Sequence, residues 1–387
     1  MQPRPYFCRS VRAGFCFKAE AMKLLLCPLL LKRCGLALIM LLLLPAGGQA
    51  QTHQDISEEA ENYLQHALQI IQKRALNRNK VNWPEISAQA FVLARGAQKP
   101  AQTYRAIRYA LQSLGDHHSF LLLTTALRQS EKKLSNVATA ENTKSLAATS
   151  PEKSISPFSQ RYQPEGRLIE SGKQRIGYLV VPRYWGPSNT DEARAFAQAI
   201  QDRIKLLHQQ KPTGWILDLR GNMGGNMWPM LAGLGPLLEG EQVGLFQAED
   251  GRTTWFYKDG RAGIRSSSGW QRVAVAVSRP VAVSDHKPMA VLIDHDTGSS
   301  GEAVAIACRG RADTRYFGRP TWGLSTANSG IPLADGAIIE LTVSVDGDRT
   351  GQLYPDGLRP DLYLADLSGA DDLKAATDWL SLWKGAK

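Results

Sequence analysis

The sequence predicts an α/β fold in which an N-terminal helical domain precedes a mixed, largely parallel sheet. Two observations carry this prediction. Residues 55–128 repeat apolar residues at helical spacing. From residue 175 onward strand patterns alternate with helix patterns, and the helix pattern "TDEARAFAQAIQDRIKLLHQQ" separates the strand patterns "RIGYLVVP" and "GWILDLRG". Such a βαβ unit implies parallel strands.

The predicted helical domain, residues 51–128, contains two amphipathic patterns, "DISEEAENYLQHALQIIQKRAL" and "TYRAIRYALQSLGDHHS". The next segment, residues 129–167, is rich in Ser, Thr, Ala, Lys and Glu and has no apolar period. We expect this segment to be a polar linker or a flap.

The predicted α/β domain, residues 168–387, follows the linker. Thr190 is the expected N-cap of its first helix, and Asp250–Gly251 is the expected turn of a hairpin. Further strands are predicted at "MAVLID", "TRYFG" and "AIIELTVSV", and further helices at "MWPMLAGLGPLL", "SGEAVAIACRG" and "DDLKAATDWLSLWKG". Hydrophobic residues make up 43% of the chain, which is enough for a packed core and excludes global disorder.

Residues 1–50 are typical of a secretory signal peptide. Lys32 and Arg33 precede a short apolar run in "CGLALIMLLLLPAGGQA", which ends in small residues at Ala50. The run is shorter than the roughly 20 residues of a membrane span. We therefore expect cleavage after Ala50 and a periplasmic or secreted protein with no membrane span after cleavage. An uncleaved anchor is the alternative, and Met22 is an alternative start.

The net charge of +10 does not indicate a nucleic-acid-binding protein. Residues 1–50 contain seven Lys or Arg residues and one Glu, so +6 belongs to the expected signal peptide and +4 to the rest. No nucleic-acid partner is therefore expected. Cys308 is the only cysteine after residue 50, which excludes an internal disulfide in the mature chain. Its position in "AVAIAC" predicts a buried helix residue.

Two loops follow predicted strands at the sheet edge where α/β proteins bind ligands. They are "DLRGNMGGN", residues 218–226, and "TGSSGE", directly after "MAVLID". The first loop has neither the GxxxxGK[ST] nor the GxGxxG pattern of a phosphate loop, and the histidines are scattered without an HExxH motif. No cofactor and no metal is expected. Backbone N–H groups in a glycine-rich loop without a lysine suit an oxyanion better than a triphosphate.

The two serines of "TGSSGE", Ser299 and Ser300, allow two interpretations. One is a helix N-cap, with Glu302 as an acid in the first helical turn. The other is a nucleophile elbow, because a serine between a strand and a helix has the position that such an elbow requires. The residue types alone leave both open.

Three segments together resemble peptidase family S41, the family of the C-terminal processing proteases and the tricorn core. They are "GWILDLRGNMGG", "VLIDHDTGSSGEAVAIACRGRADTRYFGRPTWGLS" and "YPDGLRPDLYL". "VNWPEI" through "LQSLGDHHSFL" is similar to the helical region of the tricorn-like branch. The resemblance implies a ClpP/crotonase-like core, Ser299 as the nucleophile, and an oxyanion hole formed by the backbone N–H groups of Gly225 and Ser300.

The resemblance offers two kinds of base. The processing-protease branch uses a lysine, but the matching segment "TWGLS" has Leu324 there, and leucine cannot accept a proton. The tricorn-like branch uses a histidine in a DxHS/T motif, and "DHHSF" aligns His118 with it. His118 is therefore the predicted base. His117 is expected to be a surface residue or a hydrogen-bond partner, and Asp116 a residue that caps or orients the turn.

The third catalytic residue is left open by the resemblance. The tricorn-like pattern has a glutamate three residues before a glycine that corresponds to Gly357, and this chain has Tyr354 there. Asp356 is the nearest acid and the candidate replacement, although it can equally be a turn residue. Without a carboxylate the histidine would be less well oriented, but Ser–His chemistry would persist.

The predicted function is that of an exported serine peptidase, which hydrolyses peptides or unfolded proteins through an acyl-enzyme on Ser299. The interval of roughly residues 122–174 is too short for a PDZ domain, so recognition of C-terminal tails is not expected. Two alternatives stay open: a non-catalytic small-ligand or peptide-binding protein on the same fold, like the retinoid-binding protein of the eye, and a Ser–His esterase.

Overall fold

Two β-sheets organise the part of the chain that the computed structural model describes, residues 56–129, 131 and 158–383. The predicted signal peptide and most of the predicted linker lie outside these residues. The main helices are α1 (Glu58–Arg74), α2 (Trp83–Leu93), α3 (Tyr104–Gln112), α4 (Asp191–His208), α5 (Met227–Leu234), α6 (Ser300–Cys308) and α7 (Ala370–Leu382). The strands are β1 (Phe120–Leu122), β2 (Glu165–Ser171), β3 (Gln174–Val180), β4 (Gly214–Asp218), β5 (Gln242–Ala248), β6 (Gly251–Lys258), β7 (Arg261–Ser266), β8 (Gln271–Ala276), β9 (Met289–Ile293), β10 (Thr314–Gly318), β11 (Thr326–Pro332), β12 (Ile338–Gly347) and β13 (Leu362–Tyr363).

The first sheet has the order β13-β10-β9-β4-β3-β2 and is parallel except where β2 joins β3. Helix α4 connects β3 to β4, which confirms the predicted βαβ unit, and Thr190 accepts a hydrogen bond from the N–H of Ala193 as its N-cap. Helices α4, α5 and α6 cover one face, and α7 covers the other. Cys308 is fully buried in α6, as predicted. Because β4 and β9 are parallel neighbours, the loops that follow them meet at one edge.

The second sheet is antiparallel and has the order β1-β12-β5-β6-β7-β8, with β11 also paired to β12. The expected hairpin is present, but its turn residues are Glu249 and Asp250, and Gly251 pairs with Ala248 as the first residue of β6. The two sheets share a core beneath α5 and α6. The α/β class is therefore confirmed, and the parallel part is one of two sheets.

The N-terminal helices share their core with the second sheet. Side chains of α1 and α3 pack with Ile339 and Leu341 of β12 in one apolar cluster. Strand β1 continues the chain after α3 and pairs antiparallel with β12. The turn before β12 adds a polar contact, because Asp335 accepts hydrogen bonds from Tyr63 Oη at 2.8 Å and Tyr104 Oη at 2.5 Å. The "DHHS" segment directly precedes β1, so this packing fixes where its histidines lie.

We predict that Asp335→Ala destabilises the protein by about 1–3 kcal/mol, because it removes the acceptor of two tyrosine hydroxyls, one of them on the fully buried Tyr104. The free energy of unfolding from urea titration measures this effect. Asp250→Ala, at an exposed position in the hairpin turn, is the matched control and should be within about 0.5 kcal/mol of the unsubstituted protein. Equal losses in the two variants would contradict the prediction.

Candidate active site

Ser299 has the backbone conformation of a nucleophile elbow. It lies between the end of β9 and the start of α6, with φ 51° and ψ −120°. A non-glycine residue with positive φ is sterically disfavoured, so surrounding contacts must hold it in place. A strained serine between a strand and a helix presents its hydroxyl at the sheet edge. This geometry favours the nucleophile interpretation over a simple N-cap, which normally has extended backbone angles.

Glu302 holds the elbow from inside the protein. Its Oε2 accepts hydrogen bonds from the backbone N–H groups of Ser299 and Leu324, each at 2.8 Å. Its Oε1 accepts from the Gly323 N–H at 2.8 Å and from Thr321 Oγ1 at 2.6 Å. Burial raises the pKa of Glu302, while these four donors favour its carboxylate form. Glu302 thus joins the elbow to the "TWGL" segment and does more than complement the helix dipole.

Gly224 lets the glycine-rich loop approach the elbow, and Gly225 lets it approach Tyr184. A Cβ on Gly224 (φ 97°) would lie 2.8 Å from Ser300 N and 2.9 Å from Ser299 Cβ. A Cβ on Gly225 (φ 105°) would lie 2.1 Å from Tyr184 O. Ser300 Oγ donates to Gly225 O at 2.9 Å and fastens the two loops together. Only glycine fits both positions, and the space at Gly224 lets the loop lie directly against Ser299 and Ser300.

The expected oxyanion-hole residues lie on these two loops. Ser300 is the first residue of α6, where a backbone N–H has no acceptor within the helix. The bridge between Tyr184 and Gly225 uses the N–H of Asn226, which donates to Tyr184 O at 2.8 Å. Gly225, Ser300 and Ser299 all line one cavity. Two backbone donors beside a serine hydroxyl suit the oxyanion of a tetrahedral intermediate.

His118 lines the same cavity as Ser299. Its Nδ1 is 2.8 Å from Thr326 Oγ1, which leaves Nε2 as the nitrogen to exchange a proton. Asn328 Nδ2 donates to His118 O at 2.8 Å, and Asp116 Oδ1 accepts from the His118 N–H at 3.0 Å. Burial lowers the pKa of His118, and Asp116 acts in the opposite direction. A neutral imidazole held at Nδ1 can act as a general base through Nε2.

His117 and Asp356 lie outside this arrangement. His117 is exposed, has φ 56°, and does not line the cavity. Asp356 is exposed and does not line it either. Tyr354, at the position of the family's glutamate, donates its hydroxyl to Asp348 Oδ2 at 2.7 Å. Thr326 is the side chain found at His118 Nδ1, and sequence reasoning missed it although it stands two residues after Leu324.

The cavity has a volume of about 740 Å³. Its titratable lining residues are His118, Glu340 and Asp346, and sequence reasoning identified only the first. Over the described ranges, no group of three His, Cys, Asp or Glu side chains could hold a metal ion. No helix in the described part of the chain is long and apolar enough to cross a membrane.

The model of Peptidase family S41 matches residues 175–364, which contain both active-site loops. The chain belongs to peptidase family S41. It is therefore a serine-type peptidase by family. The S41 match ends before α7 and excludes the helical region that carries His118.

One relative matches a longer part of the chain than the family model does. The Nisin-resistance protein of Lactococcus lactis subsp. lactis is 26% identical over 308 residues, which are 78% of this chain and 82% of that protein. The carboxy-terminal processing protease CtpA of Bacillus subtilis (strain 168) is 26% identical over 172 residues, 44% of this chain. The match spans only 33% of CtpA.

Two solved structures share the fold. A lipoprotein from Streptococcus agalactiae has a TM-score of 0.60 at 20% identity and covers 84% of this chain and 97% of its own. The photosystem II D1 C-terminal processing protease has a TM-score of 0.52 at 16% identity. The match covers 84% of this chain and 97% of that protease. Both matches extend well beyond the S41 segment, so the N-terminal part of the described chain belongs to the same architecture.

We predict that Gly224→Ala abolishes labelling of Ser299 by a fluorophosphonate, because its Cβ would displace the Ser299–Ser300 backbone. Gly336→Ala is the matched control: Gly336 also has positive φ (89°) but has open space around its Cβ position. The control should lose about 1–2 kcal/mol of stability from backbone strain and retain labelling. Labelling rates and thermal unfolding of both variants measure the difference. Similar labelling of the two would contradict the close approach.

Proposed function

We propose that this S41 peptidase cleaves peptide bonds through an acyl-enzyme on Ser299, with His118 as the general base. The observation that carries the proposal is that the strained Ser299 elbow and His118 line one cavity, although they are about 180 residues apart in sequence. Leu324 occupies the position of the processing-protease lysine. The neighbouring β11 instead supplies Thr326, which holds the histidine.

In this mechanism His118 Nε2 takes the proton of Ser299 Oγ as the oxygen attacks the scissile carbonyl carbon. The N–H groups of Gly225 and Ser300 stabilise the resulting oxyanion, and one such donor is typically worth about 3 kcal/mol. His118 then donates the proton to the leaving amine. A water molecule, deprotonated by His118, attacks the acyl carbon, and His118 returns this proton to Ser299 Oγ as the second product leaves. Thr326 accepts the Nδ1–H and fixes the tautomer during these steps.

We further propose an exported enzyme whose substrates are peptides or unfolded proteins. Support comes from the signal-like residues 1–50, with cleavage after Ala50, and from the large cavity, beside which Trp185 is 79% exposed. An exposed indole at a cavity mouth offers an extended peptide an apolar contact surface. One relative is named Nisin-resistance protein, so nisin is a candidate substrate to assay.

A Ser–His esterase and a non-catalytic binding protein are the alternatives. The strained φ of Ser299 argues against the second, because a binding site has no need of a strained serine. Fluorophosphonate labelling distinguishes it, since only an activated serine reacts. Parallel assays with peptide and ester substrates that share one acyl group separate a peptidase from an esterase.

We predict that Ser299→Ala and His118→Ala each lower kcat for peptide hydrolysis by roughly 10⁴-fold or more, because each removes one member of a unit that acts together. His117→Ala is the matched control and should keep kcat within about threefold, since His117 is exposed and outside the cavity. Circular dichroism confirms the fold of each variant. Full activity of Ser299→Ala would overturn the proposal, and inactivation by His117→Ala alone would move the base by one residue.

The pH dependence of kcat/KM should have an acid limb with its midpoint below 6.5, the ordinary pKa of histidine. Burial lowers the pKa of His118, so the ring stays neutral and basic at mildly acidic pH, and activity is lost only as pH falls through that lowered pKa. Initial rates between pH 4.5 and 8 measure it. A midpoint clearly above 6.5 would contradict a buried neutral base.

A further inference from the structure

Asp346 is a buried carboxyl that the proposed mechanism does not use. It lies on β12, is only 2% exposed, and lines the cavity that contains Ser299. Its Oδ1 has no hydrogen-bond partner within the described part of the chain. Its backbone is fully engaged, since its N–H donates to Ser325 O and its carbonyl accepts from the Tyr354 N–H, each at 3.0 Å. Buried carboxyl oxygens normally have partners, so an unpartnered one beside a cavity requires an explanation.

The wall around Asp346 is apolar. Phe246 of β5 is its direct partner in the antiparallel register. Trp228 packs edge-on against Phe246, with ring centroids 6.3 Å apart. Leu324 and Ala303 line the same cavity, and Ala303 lies one helical turn after Ser299. An apolar wall with one carboxyl, next to the nucleophile, suits a side chain that has an alkyl stem and a charged end.

The charge of the cavity favours a cation. No lysine or arginine is among its lining residues in the described ranges, whereas Glu340 and Asp346 both are. Burial raises the pKa of Asp346, and the nearby Glu302 carboxylate adds to this effect. Burial also raises the pKa of Glu340. A bound cation would offset the desolvation of these carboxylates, because a buried charge is costly until it is paired.

Asp346 is not needed to orient the catalytic histidine. His118 Nδ1 is already 2.8 Å from Thr326 Oγ1, and Nε2 is the nitrogen that transfers the proton in the proposed mechanism. A hydrogen-bond acceptor in the cavity wall is then available for substrate alone.

We propose that Asp346 is the specificity-determining residue of a subsite for a lysine or arginine side chain next to the scissile bond. The alkyl stem packs on Trp228, Phe246 and Leu324, and the ammonium or guanidinium donates to Asp346. This inference rests on the proposed peptidase function of the Ser299 site. It makes the substrate a basic peptide.

The test uses peptides that are identical except for lysine or norleucine at one scanned position near the scissile bond. With the full-length protein, kcat/KM should be roughly 10- to 100-fold higher for lysine at one position, as a hydrogen-bonded charge pair predicts. Asp346→Asn should lower kcat/KM for the lysine peptide much more than for the norleucine peptide, so that the preference for lysine disappears. Asp356→Asn, at an exposed acid outside the cavity, is the matched control and should keep the preference for lysine.

Failure of the subsite and failure of the peptidase function give different results. Hydrolysis without any preference for lysine at any scanned position overturns the subsite and leaves the peptidase function standing. If no peptide is hydrolysed, the peptidase function fails. The affinities of the same peptides for Ser299→Ala, measured by calorimetry, then decide whether the subsite exists. Equal affinity of Ser299→Ala for the lysine and norleucine peptides would overturn the proposed subsite. Should Asp346→Asn fold poorly, the unsubstituted protein's preference remains the deciding measurement.

Discussion

The hydrogen bonds of the Glu302 carboxylate are the interaction on which the geometry of the site depends. A serine with positive φ persists only if its surroundings hold it, and Glu302 does so by accepting the Ser299 N–H. The same carboxylate accepts from the 321–324 segment, so the elbow and that segment form one rigid unit. Gly357 belongs to this unit as well: a Cβ there would lie 2.7 Å from Glu302 Oε1. The glycine of "YPDGL" is thus explained by packing against a buried carboxylate.

Strand β12 joins the parts of the site that come from distant sequence. It pairs with β1, which follows His118, with β11, which begins at Thr326, and with β5, which carries Phe246. The backbone N–H of Thr342 on β12 also donates to Ser119 Oγ, next to His118. The histidine is therefore positioned by sheet pairing. Packing of the helical region against β12 therefore also brings His118 to the candidate site.

Sequence patterns predicted the parallel sheet because its strands are short, continuous apolar runs between clear helices. β9 is buried along its whole length, and α4 has the expected N-cap at Thr190. The antiparallel sheet was harder to predict because β6, β7 and β8 mix buried and exposed residues without regular alternation. Ser299 and Ser300 were candidates from a local motif, and Gly225 and His118 were candidates from the family resemblance. Thr326 and Asp346 carry no motif, and only long-range strand pairing brings them to the cavity.

The leucine at residue 324, where the processing proteases have a lysine, and the unpartnered Asp346 carboxyl in the cavity are physically connected. Leu324 and Asp346 line the same cavity, and the Leu324 backbone is fixed by Glu302, directly behind the nucleophile. A lysine at residue 324 would bring an ammonium group into the cavity that contains Asp346, and the two charges would attract each other. The carboxyl would then be neutralised by the protein itself, and the lysine would be held as a cation, which cannot act as a base. With leucine there, the proposed mechanism takes its base from His118, which precedes β1, and the proposed subsite keeps the Asp346 carboxyl for a substrate.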